Sequence, residues 1–435
     1  MLRNTKLALL LAAISAASMW FYVQRVLIPY ERADAALYGR PRGNLSDLYP
    51  RWLGARELLL HRRDPYSPQI TREIQEGYYG RAIDPSRPYD PKDQQGFAYP
   101  LYVVFLLAPT VFLPFAVVQS GFFWTLIALS AAAVVMWLRL LNWRISGTTT
   151  AALIVLSLGS FPAVQGFKLE QLSLLVCGLL AGSALFLARG RLFLAGFLLA
   201  LATIKPQLAL PFAGWLLLWA LARWRERKNF VWGFGGTMAA LWAGSEILLP
   251  GWMHRFREAV KAYQQYTGGA GSALDVLIGP LITATGVKLL ATAIVLGTIA
   301  VCWRVRRESA ASAQFNLATS LVLAATVVII PTFAPYNQLL LLPAIFLLLQ
   351  NRGDLCRGSW LIKVCAALCA FVILWPWLAT VSLTLASGML PAAQVQKAWQ
   401  LPLYTSLEIP FAVLALLTLY IPGKLASGRR AALAD

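Results

Sequence analysis

Apolar runs of roughly 15–24 residues recur along this chain with short polar links between them, and the longer runs match the roughly 20 residues an α-helix needs to cross a bilayer. That alternation leaves few architectures open. With 58% hydrophobic and only 13% charged residues, the chain is too apolar to be a soluble domain of 435 residues. It reads as an all-α, polytopic integral membrane protein with about 12 transmembrane helices. These are placed near 7–29, 118–138, 149–164, 171–188, 192–205, 207–222, 230–249, 281–302, 312–332, 337–350, 360–382 and 404–422.

One hydrophilic stretch interrupts the pattern. Tyr30–Ala98, 69 residues directly after the first apolar run, holds ten of the 19 acidic residues. A transporter or an anchor seldom needs such a loop. An enzyme working at a membrane surface does, because its carboxylates must sit in water or a polar cleft beside a lipid-soluble substrate.

The net charge of +19 invites a nucleic-acid partner. The placement of the charge excludes one. Half of the basic residues, 19 of 38, fall in alternate links: Arg3 and Lys6; Arg139 and Arg144; Arg189 and Arg191; Arg223, Arg225, Arg227 and Lys228; Arg304, Arg306 and Arg307; Arg352, Arg357 and Lys363; Lys424, Arg429 and Arg430. This is the positive-inside pattern, which puts both termini in the cytoplasm and Tyr30–Ala98 on the extracytoplasmic side. The eleven basic residues of that loop fit as well, since loops longer than about 60 residues translocate largely regardless of charge. Met1–Pro29 has a basic start but no small-residue cleavage site, and Trp20, Tyr22 and Arg25 follow its apolar run, so it reads as a retained signal anchor.

With the loop outside and Arg139–Arg144 inside, Tyr99–Leu138 must cross an odd number of times. Tyr99–Pro114, broken by Pro100, Pro109 and Pro114, is therefore expected to lie on the surface or re-enter. The competing reading is two ordinary spans with reversed local topology. Cys177, Cys302, Cys356, Cys365 and Cys369 lie in expected spans or cytoplasmic links, so no disulfide framework or zinc site is implied. His61 and His254 are too few for a histidine-rich metal centre. No internal repeat is visible, which weakens a transporter built from two similar halves. The chain divides into an N-terminal module, 1–228, which includes the loop 30–98, and a more apolar C-terminal module, 229–435. Within the loop, Leu48, Trp52, Ala55, Leu58 and Leu59 recur at helical spacing with Arg51, Arg56, Glu57 and Arg62 on other faces. That spacing predicts an amphipathic helix lying on the bilayer, with Ser46 or Asp47 at its N-terminus. Pro65, Pro68, Pro85, Pro88 and Pro91 then punctuate a turn-rich segment.

The run from Asp47-Leu-Tyr-Pro-Arg-Trp to Asp64-Pro65-Tyr66, followed by Phe97-Ala-Tyr99-Pro100, Pro109 and Leu113-Pro114, resembles glycosyltransferase family 87. Glu170-Gln171-Leu-Ser173 and Ile204-Lys205-Pro206 are similar to two later turns of that family. Leu101 replaces the second proline of its Tyr-Pro-Pro element, and Glu170 and Ser173 replace a glycine and an asparagine. The resemblance covers roughly 1–350 and is strongest over 44–114. It implies a GT-C-type fold and an inverting transfer of a sugar, mannose by analogy, from a polyprenyl-phosphate donor to a lipid or glycan acceptor, with no cofactor. The absence of a Gly-rich nucleotide loop and of an Asp-x-Asp cluster agrees with a lipid-linked donor and with no metal. The rival class is a transporter or flippase of lipid-linked glycans, which would need paired charges at mid-membrane. Glu246 is one of few acidic residues well inside an expected span.

Such a transfer needs a base for the acceptor hydroxyl and cations for the departing phosphate. Asp47, at the first turn after the anchor, is the candidate base, set against the bland role of a helix N-cap; Asp34 is second, and Asp64 in Asp-Pro-Tyr is a turn former. For substrate binding, Lys205 is the sharpest cation, since a charge between two apolar segments is costly unless it faces a polar cavity; a snorkelling lysine is the alternative. Lys168, Glu170 and Gln171 form a second polar turn expected to meet Lys205, with Gln207 after the same proline bend. Tyr336, Asn337 and Gln338 form a third turn, and Tyr99 is the one ring assigned to sugar stacking.

Overall fold

The computed structural model describes residues 5–40, 46–84, 86–266, 271–331 and 333–432, the side chains of 422–432 excepted. Arg3 and Pro85 lie outside these residues, as do the side chains of Lys424, Arg429 and Arg430. All regular structure among the described residues is helical.

Helix α1 (Thr5–Phe21) passes through a π-helical stretch, Tyr22–Leu27, into α2 (Ile28–Leu37). The hydrophilic loop 30–98 contributes α3 (Tyr49–His61) and α4 (Pro68–Tyr79). Pro100, Pro109 and Pro114 leave only α5 (Val103–Leu107) and a 3-10 turn before α6 (Phe115–Leu140), so Tyr99–Pro114 is too short to be a span. The stretch expected as one crossing at 149–164 is two helices, α7 (Gly147–Leu158) and α8 (Phe161–Lys168), bent by 57°. The break is local chemistry: Ser160 caps α8 by accepting from Ala163 N, and Pro162 follows in its first turn.

Next come α9 (Leu172–Ala188), α10 (Leu192–Ala202), α11 (Pro206–Leu221) and α12 (Trp224–Leu248), inside which the division at 228 falls. The link expected after 249 is itself structured, as α13 (Trp252–Tyr266) and α14 (Ala273–Ile278). The chain ends with α15 (Ala284–Val305), α16 (Ala313–Ile329), a 3-10 stretch into α17 (Leu342–Gln350), α18 (Arg352–Arg357), α19 (Trp360–Ala386), α20 (Ala392–Lys397) and α21 (Glu408–Ala432). Five of the described spans are long and apolar enough to cross a membrane, or up to six if the bent α7–α8 pair is one span; five further apolar helices are shorter.

Helices α9 and α16 are apolar on every side and almost wholly buried, which makes them the centre of the bundle. The opposite holds for α15 and α19. Leu289, Leu296, Ile299 and Trp303 on the first, and Leu368, Phe371, Leu374 and Leu378 on the second, are exposed. Rows of exposed large apolar residues are tolerated where the surrounding medium is lipid.

Polar contacts sort the helix ends. Arg227 donates to the carbonyls of Trp219, Arg306, Arg307 and Glu308, joining two of the basic links. Asn316 and Gln350 donate to Leu140 O and Leu141 O, which adds the link carrying Arg139 and Arg144. Residues Gln171, Lys205 and Ile329 lie at the other ends of α9, α11 and α16. Thus these three basic links gather at one end of the bundle and the polar turns at the other.

Helix α3 departs from expectation. Trp52, Ala55 and Leu58 are buried against the protein, with Trp52 Nε1 donating to Thr110 O at 3.3 Å and its ring against Phe115. Its apolar face is therefore covered by protein rather than by lipid. Glu57 is buried too, accepting from Arg63 at 2.8 Å, instead of lying on a solvated face.

The tightest crossing is that of α10 and α12, where Gly196 meets the backbone of Phe230 and Phe234, and Gly233 meets that of Phe193. A methyl group there has no room, and the obstacles are backbone atoms that cannot turn aside. Gly196→Ala should lower stability by on the order of 1–3 kcal/mol, as overpacking does, read as a reduced unfolding midpoint in detergent. Gly235→Ala, on α12 with open space around it, should not lower the midpoint; equal losses for both would contradict the close approach.

Candidate active site

A cavity of about 720 Å³ opens among these polar ends. Its wall includes Asp47 before α3, Tyr99 before α5, Gln171 at the start of α9, Lys205 and Gln207 around the start of α11, and Tyr336 and Asn337 after α16. Residues far apart in sequence thus converge because each sits at the same end of its helix.

Local rules place them. Pro206 opens α11, and the residue before a proline is pushed out of the helical region; Lys205 accordingly adopts φ −116° and ψ 84°. Its buried ammonium donates to Gln171 Oε1 at 2.6 Å and to Ser173 Oγ at 2.7 Å. Ser173 in turn donates to Asn337 Oδ1 at 2.8 Å. The amide of Gln171 donates through Nε2 to Asp47 Oδ2, so a continuous chain of hydrogen bonds runs from Lys205 to Asp47. Two of the three ammonium donors are occupied, leaving one for a ligand.

The turn that carries Gln171 ends α8 in a Schellman motif: Gln171 N donates to Gly166 O and Glu170 N to Phe167 O. The left-handed position of that motif usually belongs to glycine; here Glu170 fills it at φ +50°. Three links dock this turn on the segment before α3. Asp47 N donates to Leu169 O at 2.8 Å, Ser46 Oγ donates to Glu170 Oε2 at 2.5 Å, and Gln171 reaches Asp47.

Asp47 does not cap α3. Its carboxylate faces Gln171 and, at 3.4 Å, the Tyr78 hydroxyl, while Leu48 N is served by Ser46 Oγ at 3.3 Å. Burial pushes the Asp47 carboxyl above its ordinary value, with Arg51 and Lys205 pulling in the other direction. A carboxylate so raised is a stronger base.

Not all the expected residues meet here. Lys168 pairs with Glu31 at 3.0 Å, and Glu170 turns to Ser46; neither lines the cavity. Gln338 donates to Ser406 O. Asp34 pairs with Arg40, and Asp64 accepts from Tyr66 N at 2.9 Å within its turn while pairing with Arg255 of α13. Tyr99 is buried in the wall, with Tyr66 donating to its carbonyl at 2.7 Å.

The structure adds Arg51, Asp93 and the face of α13 formed by Phe256, Arg257, Val260, Tyr263 and Gln264. Positions 256, 260, 263 and 264 recur at helical spacing, a signal present in the sequence but hidden in a link too polar to suggest an element. Asp93, raised by burial, is held by Gln95 N at 2.9 Å. Only the fold brings it to Asp47.

The arrangement sets carboxylates, Asp47 and Asp93 among them, beside the cations Arg51, Lys205 and Arg257 in a polar cavity among the ends of an apolar membrane bundle. Its family follows from the sequence: the model of glycosyltransferase family 87 matches residues 97–331, and the chain belongs to that family. The match includes Tyr99, Gln171, Lys205 and Gln207 and ends before Asn337; Asp47, Arg51 and Asp93 precede it. No curated protein and no solved structure matches the chain.

Glu170 offers a test of the docked turn. Burial lifts its carboxyl from 4.5 to about 7. A group that holds its proton more tightly when folded stabilises the fold below its unfolded value, and that contribution is lost as pH rises through the folded value. The unfolding midpoint of the wild type, relative to Glu170→Gln, should therefore fall between pH 4.5 and about 7. Parallel midpoints across that window would contradict a buried, Ser46-bonded carboxyl.

Proposed function

We propose that this glycosyltransferase moves a hexose, mannose by family resemblance, from a polyprenyl-phosphate donor to a lipid or glycan acceptor, with inversion, at the periplasmic face of the inner membrane. The observation that carries the reading is the pairing, in one cavity, of the Asp47 carboxylate with a buried Lys205 that keeps one donor free. Asp47 takes the acceptor hydroxyl proton. The acceptor oxygen bonds to the anomeric carbon as the bond from that carbon to the phosphate oxygen breaks, and the electron pair leaves with the phosphate. Lys205 binds a phosphate oxygen, Gln171 orients Asp47, and Asn337 and Gln207 contact the sugar beside the Tyr99 ring.

The lipid-linked donor rests on the family resemblance and on the lack of nucleotide-binding motifs in the sequence. A GT-C-type fold with twelve crossings and both termini cytoplasmic rests on the family resemblance, the run of apolar segments and the placement of basic residues in alternate links of the sequence. The shorter apolar helices would then serve as spans within the protein interior, where α9 and α16 already lie.

Purified protein should transfer sugar from synthetic polyprenyl-phosphate mannose to a membrane-lipid extract, tested beside the glucose and arabinose donors. Lys205→Ala should raise the apparent KM for the lipid donor or depress kcat without loss of folded protein, since a charge-assisted contact is removed. An unaltered donor response would return Lys205 to a structural role.

A further inference from the structure

Arg51 occupies the third position of α3. A cation there faces the positive end of the helix dipole and gains nothing from it. Yet its guanidinium is fixed: Nη1 donates to Asp47 O at 2.7 Å, and the group lies 4.4 Å from the centre of the Tyr99 ring. Its Nε is buried without a hydrogen-bond partner. Neither Arg51 nor Lys205 makes an ion pair with any described residue, although Asp47 and Asp93 lie close enough to influence Arg51. Lys205 Nζ stands 5.9 Å from the same Tyr99 ring. The cavity therefore holds two cations beside one aromatic ring, each with an unmet donor, and an anionic oxygen ligand answers both.

We propose that Arg51 is a catalytic residue that neutralises the charge developing on the phosphate as it leaves, an inference that rests on the lipid-phosphate donor proposed above. A sugar phosphodiester carries one negative charge. When the anomeric carbon–oxygen bond breaks, the departing monoester gains the electron pair and approaches two charges. Lys205 offers a single donor to charge that is present throughout. Arg51 offers a planar fork suited to two phosphate oxygens, and such paired contacts strengthen as the second charge appears. Because Nη1 is anchored on the carbonyl of Asp47, the base and the cation are set by the same backbone segment.

Two readouts separate this role from simple donor binding. In Arg51→Ala, kcat should fall roughly 10²–10³-fold, the loss seen when one stabilising donor is removed from a developing oxyanion, while the donor KM changes little. A short-chain polyprenyl phosphate, used as product inhibitor, should lose at least about tenfold more affinity than the donor, because the dianion depends on Arg51 more than the diester does. Arg51→Lys keeps the charge and should fold even if the alanine variant does not; lacking the fork, it should show the same ordering with a smaller loss. A raised donor KM with unchanged kcat, or equal loss of affinity for donor and product, would overturn the proposal. A wild-type enzyme that neither uses the lipid donor nor binds polyprenyl phosphate would instead overturn the donor reading on which it stands.

Discussion

The hydrogen-bond chain from Lys205 through Gln171 to Asp47 is the contact on which the site depends. A lysine between two apolar helices would be costly in hydrocarbon, and a desolvated carboxylate would be costly alone. Joined through one amide, each charge lowers the cost of the other without direct contact, which leaves both free to meet a substrate. Gln171 suits this bridge because its side chain accepts at one atom and donates at the other.

That bridge requires three helix ends to arrive together. The Schellman turn after α8 sets Gln171, the proline at the start of α11 sets Lys205, and the Ser46–Glu170 contact fixes the segment bearing Asp47. Glu170 thereby occupies a place usually given to glycine, and its side chain explains why: it reaches across to Ser46 in the hydrophilic loop 30–98. The apolar interior of α9 and α16 holds the turns at one end of the bundle, while Arg227 and its four carbonyl partners tie the basic end.

Much of this was legible in the sequence. Apolar runs marked the helices, the prolines after Tyr99 pointed to a surface-lying or re-entrant element there, and Asp47, Lys205, Gln171, Tyr99, Gln207 and Asn337 do line one cavity. What periodicity could not supply was direction. Glu170 and Lys168 neighbour Gln171 in sequence, but in the left-handed turn they point toward Ser46 and Glu31. Helix α3 was visible as an element, but not the fact that protein covers its apolar face. Helix α13 was missed because its apolar and polar residues are balanced, so composition alone reads as a loop; Arg51 and Asp93 were missed because only tertiary packing brings them beside Asp47.

The central claim is that Asp47 removes the acceptor proton, and substitution at that one carboxylate tests it most directly. Asn keeps the shape and can still accept from Gln171, whereas Ala removes both; neither retains a base. Measured as kcat for sugar transfer on folded protein, both variants should lose roughly two or more orders of magnitude, the size expected for loss of a general base. An Asp47→Asn enzyme with near wild-type kcat would contradict the account.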